Sequence, residues 1–163
     1  MAPPSPGPLN PAEQRARRSR AARIARRLGF VGAVEYRHLY SQTGGAQYGR
    51  GNTAEEDLLT VYAEAFERDA DPDDFDLEAI MAHECGHQQL IRNPHLWKVM
   101  VKLSGERFEE ILASLVGSLL LGESESAQML VWKAAAELGQ LNLTAANTVD
   151  YIERLRQLLR HFL

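Results

Sequence analysis

The sequence DLEAIMAHECGHQQL, residues 76–90, predicts the central helix of this protein, because apolar residues recur in it at helical spacing. Asp74 or Asp76 can cap its N-terminus, since an aspartate side chain accepts a hydrogen bond from a free helical N–H. The dipeptide Asn93-Pro94 predicts the end of the helix, because the residue before a proline is biased away from helical conformation.

This helix carries His83-Glu84-Cys85-Gly86-His87, an H-E-x-x-H pattern. Histidines four residues apart project from one helical face, about one turn apart, so their imidazoles can bind a single zinc ion. Zinc lowers the pKa of a bound water to about 7, and Glu84 can accept the proton when that water attacks a carbonyl carbon. The pattern therefore indicates a site for peptide hydrolysis with Glu84 as the general base.

A catalytic zinc site normally has a third protein ligand. In the metzincin pattern a third histidine stands six residues after the second, but that position is Asn93, so the metzincin class is excluded. His95, just past Pro94, stays a candidate.

The third ligand can also be a glutamate from the next predicted helix, which begins with Glu106, Glu109 and Glu110. Glu110 shares its face with a stripe of small residues, Ala113, Ser114, Gly117 and Ser118. Such a stripe lets two helices approach closely, which a short carboxylate needs if it is to reach a metal on the neighbouring helix. We favour Glu110 and keep Glu109 as the alternative; both could instead only complement the helix dipole.

Two segments together resemble the gluzincin metallopeptidases. Residues 76–90 are similar to their active helix, an apolar lead followed by A-H-E-[LIF]-G-H, and EILASLVG, residues 110–117, is similar to their E-x-x-A-[DN]-x-[FY]-A block. The ImmA/IrrE family and the family of CaaX-prenyl proteases and heat-shock membrane metalloproteases use both blocks. The resemblance covers about residues 77–122 and implies a zincin-like endopeptidase domain, with His83, His87 and Glu110 as zinc ligands and Glu84 as the base.

The chain departs from the gluzincin pattern at three positions. Ser114 stands where an Asp or Asn usually braces a ligand, and loss of such a brace commonly costs about 10–100-fold in metal affinity or activity. Val116 replaces an aromatic residue, and Cys85 replaces an aliphatic one. Because Cys85 points away from the face that the histidines share, we expect a small buried residue there rather than a fourth ligand.

The remaining patterns predict an α+β, mostly helical fold, with a small β-hairpin or sheet before the active helix. Residues 29–51 suggest a hairpin, because Gly44-Gly45 separates two runs of β-forming residues. A capping-box spacing at Thr53 and Glu56 favours a helix over about 54–67, with a strand as the alternative. Helical periodicity then predicts five helices, at about residues 77–91, 95–103, 106–121, 125–139 and 145–162.

The N-terminal residues 1–28 are expected to form a disordered arm ahead of a zincin-like domain at 29–163. Residues 1–11 contain five prolines, and residues 12–28 have almost no apolar face. Seven arginines against Glu13 give residues 1–27 a charge of +6, which leaves −10 for the rest of a chain whose formal net charge is −4. The arm could contact the phosphates of a nucleic acid or serve only as a solubilising tail.

An acidic run at residues 55–78 holds eleven Asp or Glu against Arg68. Such runs are usually solvated, but this one directly precedes the predicted site. It could favour basic peptide substrates or dock the Arg-rich arm over the site.

Length and composition fit one ordinary globular domain of 163 residues, with 45% hydrophobic and 25% charged residues. Cys85 is the single cysteine, so no intramolecular disulfide can form, and we expect a cytoplasmic protein. The longest apolar stretch, 112–122, is too short to span a membrane.

The sequence therefore predicts a zinc metallopeptidase that acts on peptide or protein substrates. Two alternatives stay open: a regulatory or interaction protein that keeps a zinc site with little catalysis, and a nucleic-acid-associated helical protein whose motif is accidental. Tyr151 and His161 are conceivable donors to the transition state, but no pattern selects them.

Overall fold

The computed structural model describes residues 5–41, 44–67, 75–103, 106–140 and 145–163. Within these ranges the chain has the α+β, mostly helical fold that the sequence predicts. The strands are β1 (Ala33–Arg37), β2 (Ala46–Gly49) and β3 (Leu58–Tyr62), with a 3-10 turn at Ala54–Glu56. The helices are α1 (Pro11–Arg27), α2 (Ala63–Glu67), α3 (Leu77–Arg92), α4 (Pro94–Leu103), α5 (Glu106–Leu121), α6 (Glu125–Gly139) and α7 (Ala145–His161).

The three strands form one mixed sheet in the order β1-β3-β2. β3 lies in the centre, parallel to β1 and antiparallel to β2. The predicted hairpin at 29–51 is therefore wrong: Gly44 and Gly45 do have positive φ, but β1 and β2 both pair with β3 rather than with each other. A strand that comes later in the chain is inserted between them, and a pattern of local turns cannot show that.

The predicted helix at 54–67 is wrong for its middle part, where the alternative strand forms instead. Thr60, Val61 and Tyr62 lie in β3 and are β-branched or aromatic, so they fit a buried pleated surface better than a helix. Only Ala63–Glu67 is α-helical, and the side chain of Thr53 makes no capping hydrogen bond.

The expected disordered arm is wrong for residues 11–27, which form α1. Asn10 caps this helix, because its side chain accepts a hydrogen bond from the Glu13 N–H at 2.8 Å. The buried face of α1 consists of Ala21, Ile24 and Ala25, so alanines complete an apolar face that bulky residues alone do not show. The proposed contact of the arginines with nucleic acid stays a prediction.

Helices α3 to α7 confirm the five predicted helices to within one or two residues at each end. Asp76 is the N-cap of α3, and its side chain accepts a hydrogen bond from the Ala79 N–H at 2.8 Å. Asp74, the other predicted cap, lies outside the described residues. Residues 104–105, between α4 and α5, lie outside them as well. In α7, Val149 and Leu158 are exposed although they follow the apolar periodicity of this helix. The face that packs against α5 and α6 includes Ile152, Leu155 and Leu159 instead.

Two apolar clusters build the core. One joins α1 and the sheet to α3, and the other joins α4, α5, α6 and α7. Helix α3 contributes to both clusters, and its largest set of contacts is with α5. Among the described residues, none of the helices combines the length and the apolar character needed to cross a membrane.

The carboxylate of Asp57 ties the sheet to the C-terminal half of α3. Asp57 is 1% exposed and accepts hydrogen bonds from Arg92, Gln88, the Tyr48 hydroxyl and the Gly51 N–H, at 2.6–3.1 Å. Burial alone would raise the pKa of Asp57, but these donors outweigh it and hold the pKa well below its usual range. The contact fixes α3 with its histidine face towards the end of β2.

Candidate metal centre

Helices α3 and α5 cross at a distance that only small residues allow. A Cβ atom added to Gly86 of α3 would lie 2.1 Å from the carbonyl oxygen of Ala113, and one added to Gly117 of α5 would lie 2.5 Å from that of Ala82. Ser114 is fully buried at the same crossing. This confirms the expectation that the small-residue stripe of α5 admits close approach of the helix before it.

The crossing brings the two histidines of α3 together with Glu110 of α5. The Nε2 atom of His83 lies 2.8 Å from one carboxylate oxygen of Glu110, and the Nε2 atom of His87 lies 3.2 Å from the other. One possible ligand atom from each of these three side chains lies within 4.8 Å of the other two. Two imidazoles and a carboxylate at this spacing form a cluster that could bind a metal ion.

The other nitrogen of each histidine also has a partner on α5. Ser114 Oγ lies 2.8 Å from Nδ1 of His83, and Glu109 Oε1 lies 3.3 Å from Nδ1 of His87. Such partners fix the orientation of an imidazole and direct its free nitrogen at a metal. Glu109, the alternative ligand, thus contacts Nδ1 of His87, the nitrogen that faces away from Glu110. The side chain of Glu106 is outside the described residues.

Glu84 lies beside the cluster, and a backbone N–H donates a hydrogen bond to its carboxylate. Its carboxylate accepts a hydrogen bond of 3.1 Å from the backbone N–H of Tyr48, in the edge strand β2. Burial raises the pKa of Glu84 to about 7, against smaller opposing effects from His87 and this hydrogen bond. The arrangement suits a carboxylate that gains and loses a proton near neutral pH.

The pKa values of the three clustered side chains follow their surroundings. Burial lowers the pKa of His83 to about 4. Burial acts in the same direction on His87, but the hydrogen bond to Glu110 and the nearby carboxylates outweigh it and raise its pKa. Hydrogen bonds with His83 and His87 hold the pKa of Glu110 well below its usual range. His83 is therefore neutral at pH 7, which is the protonation state that metal binding requires of a histidine.

A cavity of about 640 Å³ opens over the cluster. His83, Glu84, His87 and Glu110 form one part of its wall, and the edge strand β2 forms another. Two cationic side chains also line it, Arg50 just after β2 and Lys133 on α6. Lys133 could not be predicted from the sequence, because the spacing of residues along α6 gives no sign that this helix reaches the site.

Several other candidates lie elsewhere. Cys85 is buried, as expected, and burial raises the pKa of its thiol to about 12; it is not part of the candidate cluster. His95 is not part of the cluster either: its ring stacks on Phe162. Neither Tyr151 nor His161 lines the cavity.

None of the described acidic side chains of the run at 55–78 lines this wall, although Phe75 of the same segment does, and α1 does not line it either. The N-terminal helix as docked here therefore does not cover the site. Residues 68–74 of the run are outside the described residues, and the preference for basic substrates stays a prediction.

Comparison of the chain with protein-family models, with curated proteins and with solved structures gives no match. The gluzincin resemblance therefore rests on the motif residues alone.

Proposed function

We propose that this protein is a zinc-dependent metallopeptidase of the gluzincin type, nearest to the soluble ImmA/IrrE-like enzymes. One observation carries the proposal: His83, His87 and Glu110 converge from two helices on one point of a cavity, with Glu84 beside them. The donor set fits zinc, which binds imidazole nitrogen and carboxylate oxygen and keeps a fourth position open in catalytic sites. Ser114 and Glu109 support this fit, because each engages the nitrogen that a histidine ligand leaves free.

When bound, zinc supplies Lewis-acid chemistry, since it lowers the pKa of water and polarises a carbonyl group. Glu84 accepts the proton that water loses as its oxygen forms a bond to the peptide carbon. Glu84 then returns this proton to the amide nitrogen as the C–N bond breaks, so that the product leaves as a neutral amine. The N–H of Tyr48 holds the Glu84 carboxylate towards the cavity during both transfers.

Measuring the zinc content of variants tests whether Glu110, and not the adjacent Glu109, is the third ligand. We expect purified wild-type protein to hold close to one zinc per chain, and Glu110→Ala to lose it. Glu109→Ala is the matched control: because Glu109 contacts only the far nitrogen of His87, its loss weakens zinc binding without abolishing it. Elemental analysis after dialysis measures all three, and a wild-type content near zero would contradict the proposal.

Hydrolysis separates an enzyme from a protein that only holds the metal. With fluorescein-labelled casein as the probe, we expect zinc-loaded wild type to release soluble fragments and Glu84→Gln to release none above background. Glu84→Gln should keep the wild-type zinc content, because Glu84 is not one of the three ligands. Full activity in this variant would show that Glu84 is not the base, and a zinc-loaded wild type without any activity would favour the regulatory alternative.

A further inference from the structure

The proposed reaction places negative charge on the oxygen of the attacked carbonyl, and a hydrogen-bond donor near that oxygen lowers the barrier. Tyr48 is the phenol that lines the cavity, but its hydroxyl already donates to Asp57 at 2.7 Å. Burial and this hydrogen bond raise the pKa of Tyr48 to about 12. With its hydroxyl bonded to Asp57, Tyr48 is not a free donor to the carbonyl oxygen.

Lys133 is placed for this role. Its side chain is about one-third exposed, and its ammonium lies 5.8 Å from the ring centre of Phe75 and 3.9 Å from a carboxylate oxygen of Glu137. A contact of 3.9 Å is too long for a hydrogen bond, so the three N–H donors of the ammonium are not used up by Glu137. The side chain is held at the wall of the cavity with donors to spare.

Lys133 shares its cavity with the residues that carry the proposed chemistry. Its side chain lines the same wall as His83, Glu84 and Glu110, so it borders the space that a substrate carbonyl would enter. Arg50, the other cation among the described residues of the wall, is exposed to solvent, whereas Lys133 is partly buried. The geometry therefore favours Lys133 over Arg50.

We propose that Lys133 is the catalytic residue that stabilises the carbonyl oxygen in the transition state, an inference that rests on the proposed function. As the bond from water to the carbonyl carbon forms, the electron pair of the C=O double bond moves onto oxygen. An N–H of Lys133 donates to that oxygen until the double bond forms again and the C–N bond breaks. Lys133 keeps all of its protons throughout.

Two variants test this, Lys133→Met and the charge-preserving Lys133→Arg, with Lys98→Met on the exposed surface of α4 as the matched control. With labelled casein we expect Lys133→Met to lower kcat by about 100-fold or more, with KM within twofold of wild type. Lys133→Arg should recover part of the loss, and Lys98→Met should match wild type. All three should keep the wild-type zinc content, since none changes a ligand.

A binding measurement tests the same residue without any hydrolysis. Inorganic phosphate is a tetrahedral oxyanion, whereas acetohydroxamate is a planar zinc ligand. We expect Lys133→Met to raise the Kd of zinc-loaded protein for phosphate at least tenfold and to leave the Kd for acetohydroxamate unchanged. Wild-type phosphate affinity in Lys133→Met, or no phosphate binding by wild type, would overturn the role of Lys133. Absent casein cleavage with this phosphate difference intact would instead contradict the proposed function, and with it the catalytic role, and would leave Lys133 as an oxyanion-binding residue of the cavity.

Discussion

Ser114 occupies the position where the resembled family places an acidic or amide side chain, and the structure shows what the smaller residue does there. Its hydroxyl lies 2.8 Å from Nδ1 of His83 in a fully buried setting. A hydroxyl can orient the imidazole, but it brings no negative charge to make the imidazole more basic. In the proposed site, Ser114 is therefore a weaker, uncharged partner for His83 than an aspartate would be.

We expect Ser114→Ala to weaken zinc binding by about 10–100-fold, because His83 then loses the partner that orients it. The Kd is measured by competition with a fluorescent zinc chelator. Ser118→Ala on the same helix is the control, since Ser118 is equally buried but bonds to the Leu115 carbonyl and to Arg156. Equal zinc affinities in the two variants would show that the Ser114 hydroxyl does not support the ligand.

At the scale of elements, the crossing of α3 and α5 sets the distance between the two histidines and Glu110, the proposed ligands. The Gly86 position faces the backbone of α5, and backbone atoms cannot rotate out of the way as a flexible side chain can. Any side chain at this position must push the two helices apart. The same displacement would move Glu110 away from both histidines.

We expect Gly86→Ala to lower the free energy of unfolding by about 2 kcal/mol, even though alanine favours a helix over glycine by up to about 1 kcal/mol. Denaturation in guanidinium chloride measures the change, and zinc affinity should fall with it. In Gly139→Ala, at the end of α6, the added Cβ meets no atom within 4 Å, so this control should be neutral or slightly stabilising. A Gly86→Ala protein as stable as wild type would show that the crossing can widen freely.

How far the sequence predicts each element depends on whether its signal is local. Helices α3 to α7 follow from periodicity and from caps such as Asp76, which involve neighbours in the chain. The sheet order does not, because β3 pairs with strands on both sides and no residue between them marks this partner choice. The packed helix α1 could not be predicted because its buried face is largely alanine, and alanine is also common on the exposed faces of helices.

The same distinction holds in the candidate site. His83, His87 and Glu110 could be predicted, since their spacing within α3 and the small residues of α5 carry the signal. The contacts of Glu84 with the Tyr48 N–H and the approach of Lys133 depend on how separate elements pack. No pattern within one segment of chain encodes them.

For the molecule as a whole, Asp57 connects the sheet to the helix that carries the two histidines of the candidate metal centre. Its carboxylate pairs with Arg92 at 2.6 Å and is nearly inaccessible to solvent. We expect Asp57→Asn to lower the free energy of unfolding at pH 7 by about 3 kcal/mol, because removal of one partner leaves the other donors of the network unsatisfied. Denaturation curves of wild type and variant across a pH series measure this difference.

The difference in the free energy of unfolding between wild type and Asp57→Asn should become smaller as the pH falls. The folded-state pKa of Asp57 lies below its unfolded value of about 3.9, so the stabilisation is fully present above that value and is lost as the pH falls through it towards the folded pKa. Wild type and Asp57→Asn should therefore differ by a constant amount above about pH 5 and converge in acid. Glu55→Gln, an exposed carboxylate nearby, is the control and should track wild type throughout. A gap that stays constant down to pH 2 would show that Asp57 does not titrate with a lowered pKa, and that its burial rather than its charge holds α3 against the sheet.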